Sequence, residues 1–502
     1  MSDLNLTMFH AYDIRTPAKY LTDELALRLA RAEAVYFRDG LGASGVLVGH
    51  DARSTGPHYL ELATEVYRKA GLGVTVIPGV CSTSMFYFTA MKRPRLAAVL
   101  FGASHNPADD TGQKILGPGV RPIAQRVGPE GGLDRIQALY VQGMEVADRS
   151  LPGRITAYDP TEEYIQYSME LAGVGPGELD GLKVFHDYLN GAAGREMMLA
   201  FERAAANLTP LHFTADGRFP LGDPNPVKQE VIRDGIETLK RGDYLFGTFF
   251  DGDGDRIDFY RGDGRYLSSS FVYAGILPAI RARFDGEDLG VYADLKCNPL
   301  ALMEMVKSGV VTRIIRNGHS QIKHSMFENP RMAGAVEESA HFYEAFQLDG
   351  ARYCTENTLY IALLVAKMWR DVPERFDTLF QIQAATCRER EWGHKFPSDE
   401  QRAHALEAVE AHFAHQGAQA MSRMTDGYDL EATIMRRGMP FNIEVESRFA
   451  PEWLQVCQRV SQSEDGLARW EVVAAENDIA QKAKEDIQKI VREFRASDEY
   501  QG

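Results

Sequence analysis

Short apolar runs that stop at Gly or Asp recur along the chain: GVLVGHD at 45–51, RLAAVLFGAS at 95–104, LKVFHDYLNG at 182–191, YLFGTFFDGDGD at 244–255 and LGVYADLK at 289–296. Between them stand stretches such as LTDELALRLARAEAVYFRDG and HYLELATEVYRKAG, whose apolar residues recur at threes and fours and which end at Gly. That spacing is the mark of an amphipathic helix with a C-terminal stop. Strand then helix, repeated, predicts α/β layers with largely parallel or mixed sheets. In such layers ligands gather at the carboxyl ends of strands, and the polar motifs of this chain stand at those ends.

The 502 residues suffice for three or four domains, at about 100–200 residues each. Joins are expected in GMEVADRSLPGRITAYDPTEEY (143–164), around YRGDGRYLSSS (260–270) and near RDVPERF (370–376), which divides the chain into 1–155, 156–265, 266–375 and 376–502. After the last join, residues up to about 425 are rich in charge and Ala and read as helical. RWEVVAAENDIAQKAKEDIQKIVREF, at 469–494, reads as a short strand followed by an amphipathic helix. The last part is therefore expected to be a smaller α+β domain.

A formal net charge of -16 argues against a nucleic-acid or anionic-membrane partner, since both need a basic surface. The five cysteines are scattered and never spaced as CxxC, which suggests neither a disulfide framework nor a zinc site. The N-terminal MSDLNLTMFHAYDIR lacks a basic stretch followed by an apolar core, and no apolar run approaches the ~20 residues of a membrane span. A cytoplasmic protein is expected, as monomer or homodimer; no coiled-coil seam is evident to fix the oligomeric state.

The sharpest chemical signal is FFDGDGDRIDF at 249–259. Asp251, Asp253 and Asp255 alternate with glycines directly after an apolar strand, and an extended loop of this kind can converge three hard oxygen ligands on one Mg²⁺. An EF-hand loop also opens DxDxD, but Arg256 stands where that loop needs Gly and Gly262 where it needs a bidentate Glu. An acidic hairpin turn is the plain alternative. Three carboxylates so close would then repel one another unless a cation or Arg256 offset them.

LFGASHNPADDTGQK, at 100–114, sets Ser104 among turn formers. GASHN begins like a GxSxG nucleophile elbow but has Asn106 in place of the second Gly, which disfavours an acyl-enzyme hydrolase. His105 is adjacent in sequence, a poor geometry for a base acting on Ser104. Alone, Ser104 reads equally as a turn residue. Together with a Mg²⁺ loop it becomes a plausible phosphate carrier, since phosphoryl transfer needs an acceptor hydroxyl and charge neutralisation.

ASHNP followed by DGDGDR resembles the α-D-phosphohexomutase superfamily, and most nearly its bacterial phosphomannomutase/phosphoglucomutase enzymes. The resemblance runs in order over roughly residues 9–495. FHAYDIRTP is similar to FRAYDIRG and gives Arg15 a phosphate-contacting place; VGHDAR resembles VGRDxR, with His50 for Arg; TGQK matches NGxK and puts Lys114 at the active-site lysine. DLKCNP and RNGHSQIK map Lys296, Gly318, His319 and Lys323. VEESAH resembles the GExSGH sugar-recognition loop, assigning Glu337 and Ser339, with Val336 and Ala340 in place of glycines. RVSQSED resembles the distal-phosphate loop RxSGTEP, assigning Arg459, Ser461, Gln462 and Ser463, with Asp465 for Pro. Taken singly, His319 would be a polar loop histidine, Lys114 an exposed lysine, Glu337 and Glu338 a solvated acidic pair, and Arg459 a surface charge.

The resemblance implies three mixed α/β sandwich-like domains and a smaller α+β C-terminal domain around a central cleft. It implies a phosphate on Ser104 and one Mg²⁺ per chain held by Asp251, Asp253, Asp255 and a phosphate oxygen on Ser104. The implied reaction interconverts hexose 1-phosphate and hexose 6-phosphate of glucose or mannose, with hexose 1,6-bisphosphate as intermediate and activator. Lys114 and His319 would be general acid and base, and Arg15 would position the phosphoryl group. A phosphoglucosamine mutase, a metal-dependent sugar phosphatase or bisphosphate synthase, and a catalytically silent relative stay open as alternatives.

Overall fold

A computed structural model describes residues 4–145, 151–284, 288–424, 427–461 and 466–499. It divides into two compact units, one of Met1–Ser269, Gly318–Pro330 and Ser339–Val372, the other of Ser270–Asn317, Arg331–Glu338 and Pro373–Gly502.

The first unit opens on a mixed seven-stranded sheet. Its centre is parallel: Gly45–His50 lies between Ala97–Phe101 and Gly73–Val80, and Ile155–Ala157 extends the latter edge. Asp110–Gly117 and then Ile14–Pro17 add antiparallel on the other edge. Helices Asp23–Val35, Gly56–Lys69 and Leu133–Gln142 share a core with this sheet that includes Val46, Val48, Phe37 and Tyr67. Each such side chain taken from water contributes about 1.5–3 kcal/mol. Thr22 starts the first of these helices by accepting from the Leu25 amide, satisfying one of the donors a helix leaves open.

A second sheet, of five strands, runs Tyr266–Leu267, Ile257–Arg261, Phe246–Phe250, Lys183–Asp187, Asn207–Leu211. The last three are parallel, whereas Phe246–Phe250 and Ile257–Arg261 form an antiparallel hairpin. The DGDGDR segment is the connection of that hairpin. It is therefore both a hairpin loop and the carboxyl end of a parallel strand. The segment around 260–270, expected as a join, holds the end of this hairpin, the strand Tyr266–Leu267 and the start of helix Ser269–Arg281, and the first unit's long run ends in it at Ser269. Helix His319–Glu328 and the hairpin His341–Leu348/Ala351–Glu356 also belong to this unit.

In the second unit Gly290–Asp294 pairs parallel with Val311–Ile315 and Met332–Glu337. The C-terminal part is a five-stranded antiparallel sheet in the order Cys387–Lys395, Leu467–Ala474, Leu454–Val460, Asp429–Arg437, Gln419–Arg423. Helices Asp399–His415 and Asn477–Glu493 pack on one face through Val409, Phe413, Ile487 and Val491.

The uniformly helical expectation for 376–425 is corrected here. Helices Pro373–Ala384 and Asp399–His415 are present, but Cys387–Lys395 is a nine-residue strand. Its charged residues misled because they are not a solvated helix face: Arg388 pairs with Glu471 on the neighbouring strand, and Glu391 with Arg459 on the strand beyond it. Among the described residues no helix is long and apolar enough to cross a membrane.

Candidate active site

The strand Ala97–Phe101 ends in Gly102, where a Cβ would stand 2.4 Å from Asp51 Oδ2. No side chain fits there without moving Asp51, whose carboxylate accepts from the amides of Arg53 and Ala103. The loop beyond is held by Arg53, buried to 1% exposure. Its guanidinium donates to the carbonyls of Ser104 (2.9 Å), Asn106 (2.7 Å) and Asp110 (3.1 Å), and to Pro107. Ser104 is thereby fixed at φ 48°. A non-glycine residue in this region costs about 1–3 kcal/mol and persists only where its surroundings enforce it.

That backbone turn brings Ser104 Oγ 2.8 Å from Asp251 Oδ2, to which it donates, and 3.2 Å from His105 Nδ1. The adjacent histidine was expected to be badly placed. In the left-handed conformation at Ser104 its ring nitrogen comes within hydrogen-bond distance of the hydroxyl. Burial, then Arg256 and Arg15, hold the His105 imidazole pKa well below its usual range, so the ring is neutral.

Asp251, Asp253 and Asp255 are all buried, and one oxygen of each lies within 4.8 Å of the others. Asp251 Oδ1 accepts from the amides of Asp255 and Arg256, and Arg256 Nε lies 3.7 Å from Asp251 Oδ2. Asp253 Oδ2 accepts from Lys114 Nζ (2.6 Å) and Thr83 Oγ1 (2.7 Å), and Lys114 also bonds Asp255. Asp255 Oδ1 meets His341 Nε2 at 3.2 Å, and the same ring's Nδ1 meets Ser339 Oγ at 3.3 Å.

Burial, and then repulsion from Asp253 and Asp255, push Asp251 well above the ordinary carboxylate range. Burial acts the same way on Asp255, but Lys114 and His341 overcome it and hold that group well below the range. Lys114, an exposed lysine by its sequence alone, is buried at 5% exposure. Burial opposes its charge, yet Asp253 and Asp255 raise its pKa well above the usual value. Buried Asp253 Oδ1 has no hydrogen-bond partner among the described residues, an uncompensated cost unless a ligand meets it. Three hard oxygens with one orphaned fit a small divalent cation. The triad can hold a metal ion.

Arg15 donates to Asn106 Oδ1 (2.7 Å) at the tip of the serine loop and is braced by Asp13 (2.7 Å). His319 opens its helix after Gly318, whose φ is 123° and where a Cβ would strike the Tyr12 ring at 2.5 Å. The His319 Nε2 is buried, has no hydrogen-bond partner among the described residues, and stands 3.9 Å from Asp13 Oδ2. Burial and then Lys323 lower its pKa, against the nearby Asp13 carboxylate, which raises it. Lys323 is buried, bonding Tyr87 Oη at 3.0 Å and the Glu356 carboxylate at 3.1 Å. Ser104, Lys114, Arg15, His105, Arg256, the three Asp, Gly318, His319, Lys323 and Ser339 all lie in the first unit.

The second unit carries Lys296, Glu337, Arg459 and Ser461. Asp294 accepts from the Lys296 amide (2.9 Å), and Asn317 Nδ2 bridges Asp294 (2.7 Å) and Glu337 (3.3 Å). Burial pushes Asp294 up to about 6, with Lys296 opposing. Glu338, expected as half of a solvated acidic pair, is buried and ion-paired with Arg388 at 2.7 Å. Arg459 grips Glu391 through Nε (3.2 Å) and Nη2 (2.8 and 3.0 Å). Lys296 and Arg469 approach the same carboxylate at 3.5 and 3.4 Å. Burial raises the Glu391 pKa, but Arg459, Lys296 and Arg469 overcome it and hold the group far below the usual range. Gln462 and Ser463 lie outside the described residues, as does Asp465.

Sequence reading missed Arg53, Thr83, His341, Glu391 and Arg469 as parts of these clusters. VGHDAR and VEESAH contained Arg53 and His341 without giving either a role. Nothing local marked Thr83, which meets Asp253 across 170 positions of chain.

The sequence model of the phosphoglucomutase/phosphomannomutase α/β/α domain I matches residues 6–128, and that of α/β/α domain II matches 162–264. The chain is 27% identical over 415 residues to a protein named phosphohexose mutases from Xanthomonas campestris pv. campestris, covering 82% of this chain and 88% of that one. It is 29% identical over 348 residues to a phosphomannomutase of Vibrio cholerae serotype O1, covering 68% and 73% respectively. In fold it matches a crystal structure of a phosphoglucomutase/phosphomannomutase family protein from Burkholderia thailandensis, with a TM-score of 0.77 at 22% identity over 98% of both chains. Motif order, a buried aspartate triad beside a strained serine, and these relatives agree: the chain belongs to the α-D-phosphohexomutase superfamily, with the bacterial phosphomannomutase/phosphoglucomutase enzymes, and is a phosphohexomutase.

Proposed function

We propose that this phosphohexomutase interconverts the 1- and 6-phosphates of glucose or mannose, carrying one phosphate on Ser104 and passing through hexose 1,6-bisphosphate. The observation that carries this most directly is Ser104 itself, held at φ 48° with Oγ 2.8 Å from Asp251 of the triad. A serine kept in a costly conformation against three buried carboxylates is poor design for a turn and good design for a phosphate ester.

In the resting enzyme Ser104 Oγ bears the phosphate, and Asp251, Asp253 and Asp255 would hold Mg²⁺. When bound, Mg²⁺ supplies positive charge that offsets the transferring phosphoryl group. The sugar hydroxyl attacks phosphorus, the bond to Ser104 Oγ breaks, and the bisphosphate forms; its other phosphate then returns to Ser104. Arg53 keeps Oγ aimed throughout by fixing the loop carbonyls. Arg15 steadies the transferring group, and Lys114, held protonated by its two aspartates, adds charge and serves as acid. His319 suits the base, because it is neutral and its buried Nε2 has no hydrogen-bond partner among the described residues. Glu337 and Ser339 read sugar hydroxyls with Gly318 and Lys323 nearby in the sequence, and Lys296, Arg459, Ser461, Gln462 and Ser463 take the distal phosphate. The domain boundaries near 155, 265 and 375 belong to the same proposal.

The test is turnover of glucose, mannose and glucosamine 1-phosphates with Mg²⁺ and a trace of bisphosphate. Isomerised glucose or mannose phosphate is expected. Free inorganic phosphate without isomerised product would instead make the protein a phosphatase.

A further inference from the structure

The strand Cys387–Lys395 slips register against Leu467–Ala474 between Glu389 and Trp392. Glu389 pairs with Val472 and Trp392 with Trp470, so Arg390 and Glu391 together oppose Glu471. Such a bulge re-aims the side chains that follow it. Without it, Glu391 would share the face of Glu389, which bonds Gln481 and Lys484 on the covering helix. With it, Trp392 stays in the core at 1% exposure and Glu391 turns to the opposite face. There it meets Arg459, Arg469 and Lys296.

Three cations converging on one point repel one another and need an anion between them. The carboxylate of Glu391 supplies it, and Arg459 grips it in the two-pronged manner with which guanidinium also grips phosphate. The Glu391 side chain is 19% exposed, so it has an edge open to leave by. Resting on the reading that Arg459 and its loop take the distal phosphate, we propose that Glu391 is an internal stand-in for that phosphate. It occupies the cations between substrates, yields to an arriving phosphate dianion, and reclaims the cations when the phosphate departs. This matters especially for a reaction whose bisphosphate must let go and turn around, because release then returns the three cations to a carboxylate already at hand. A competitor built into the site reduces apparent affinity to the fraction of time that the site is open.

The experiment measures inorganic phosphate binding by calorimetry, with KM and kcat for hexose 1-phosphate, in the full-length wild type, Glu391→Gln and Glu391→Asp. Removing the competitor is expected to tighten phosphate binding and lower KM by about tenfold if the pair is closed some nine-tenths of the time. The kcat falls with it, because release slows. Glu391→Asp, one methylene too short for the two-pronged grip, should move the same way by less, and it decides the matter if Glu391→Gln does not fold. Weaker phosphate binding and higher KM in the folded variants would make Glu391 a fixed strut for Arg459 and overturn the proposal, as would unchanged affinity. Arg459→Ala separates the two levels. If it leaves phosphate binding intact, the phosphate-loop reading falls and takes this inference with it; if it abolishes binding while the Glu391 variants fail to tighten it, only the inference falls.

Discussion

Several residues here hold conformations that their side chains do not prefer, and each makes a measurable claim. Ala340 sits at φ 71° while its carbonyl accepts from the Ile257 amide. It occupies a place where GExSGH has Gly. Relief of left-handed strain outweighs the entropy Gly adds to the unfolded chain, so Ala340→Gly should stabilise the protein by about 0.5–1 kcal/mol in denaturant titration. At Gly102 the argument reverses. Gly102→Ala drives a methyl into Asp51 Oδ2 and should cut turnover by two orders of magnitude or more, with about 1–3 kcal/mol of stability lost to overpacking.

Glu33 makes a pH claim far from the catalytic residues. Burial raises its pKa to about 8, despite a hydrogen bond from Tyr67. Because the folded value lies above the unfolded one, this stabilising contribution is full below about pH 4.5 and is lost as pH rises through 8. Unfolding free energy should therefore decline across that window, and Glu33→Gln should flatten the decline. The residues legible in the sequence, Ser104 and the three Asp, carry their chemistry in adjacent positions. Arg53 and Glu391 were not legible, because their meaning lies in partners 51 to 95 positions away.

At the scale of elements, strands that alternate or run wholly apolar were easy to read, and the DGDGDR connection was placed correctly at a strand end. Cys387–Lys395 was not, because its bulge breaks the alternation and its charges mimic a helix surface. The bulge keeps Trp392 on the core face at 1% exposure, opposite Trp470. Trp392→Ala should lose about 3–5 kcal/mol, the scale of removing a buried aromatic, in thermal unfolding.

For the whole molecule, the proposed mechanism needs Ser104 to carry phosphate beside a triad that can hold a metal ion. Mg²⁺ binding the folded state alone should raise the unfolding midpoint, worth about 2.7 kcal/mol at a hundredfold excess over its dissociation constant. Asp253→Asn should abolish that rise and turnover together. The superfamily was legible from motif order, whereas sugar preference was not, since Val336 and Ala340 depart from the GExSGH pattern. The most direct measurement maps the phosphate: the protein is incubated with hexose 1,6-bisphosphate and Mg²⁺, digested, and its peptides analysed by mass spectrometry. One phosphate on Ser104, absent from an inactive Ser104→Ala variant, is the predicted result. Near wild-type turnover in Ser104→Ala, or phosphate found only on another residue, would contradict the account.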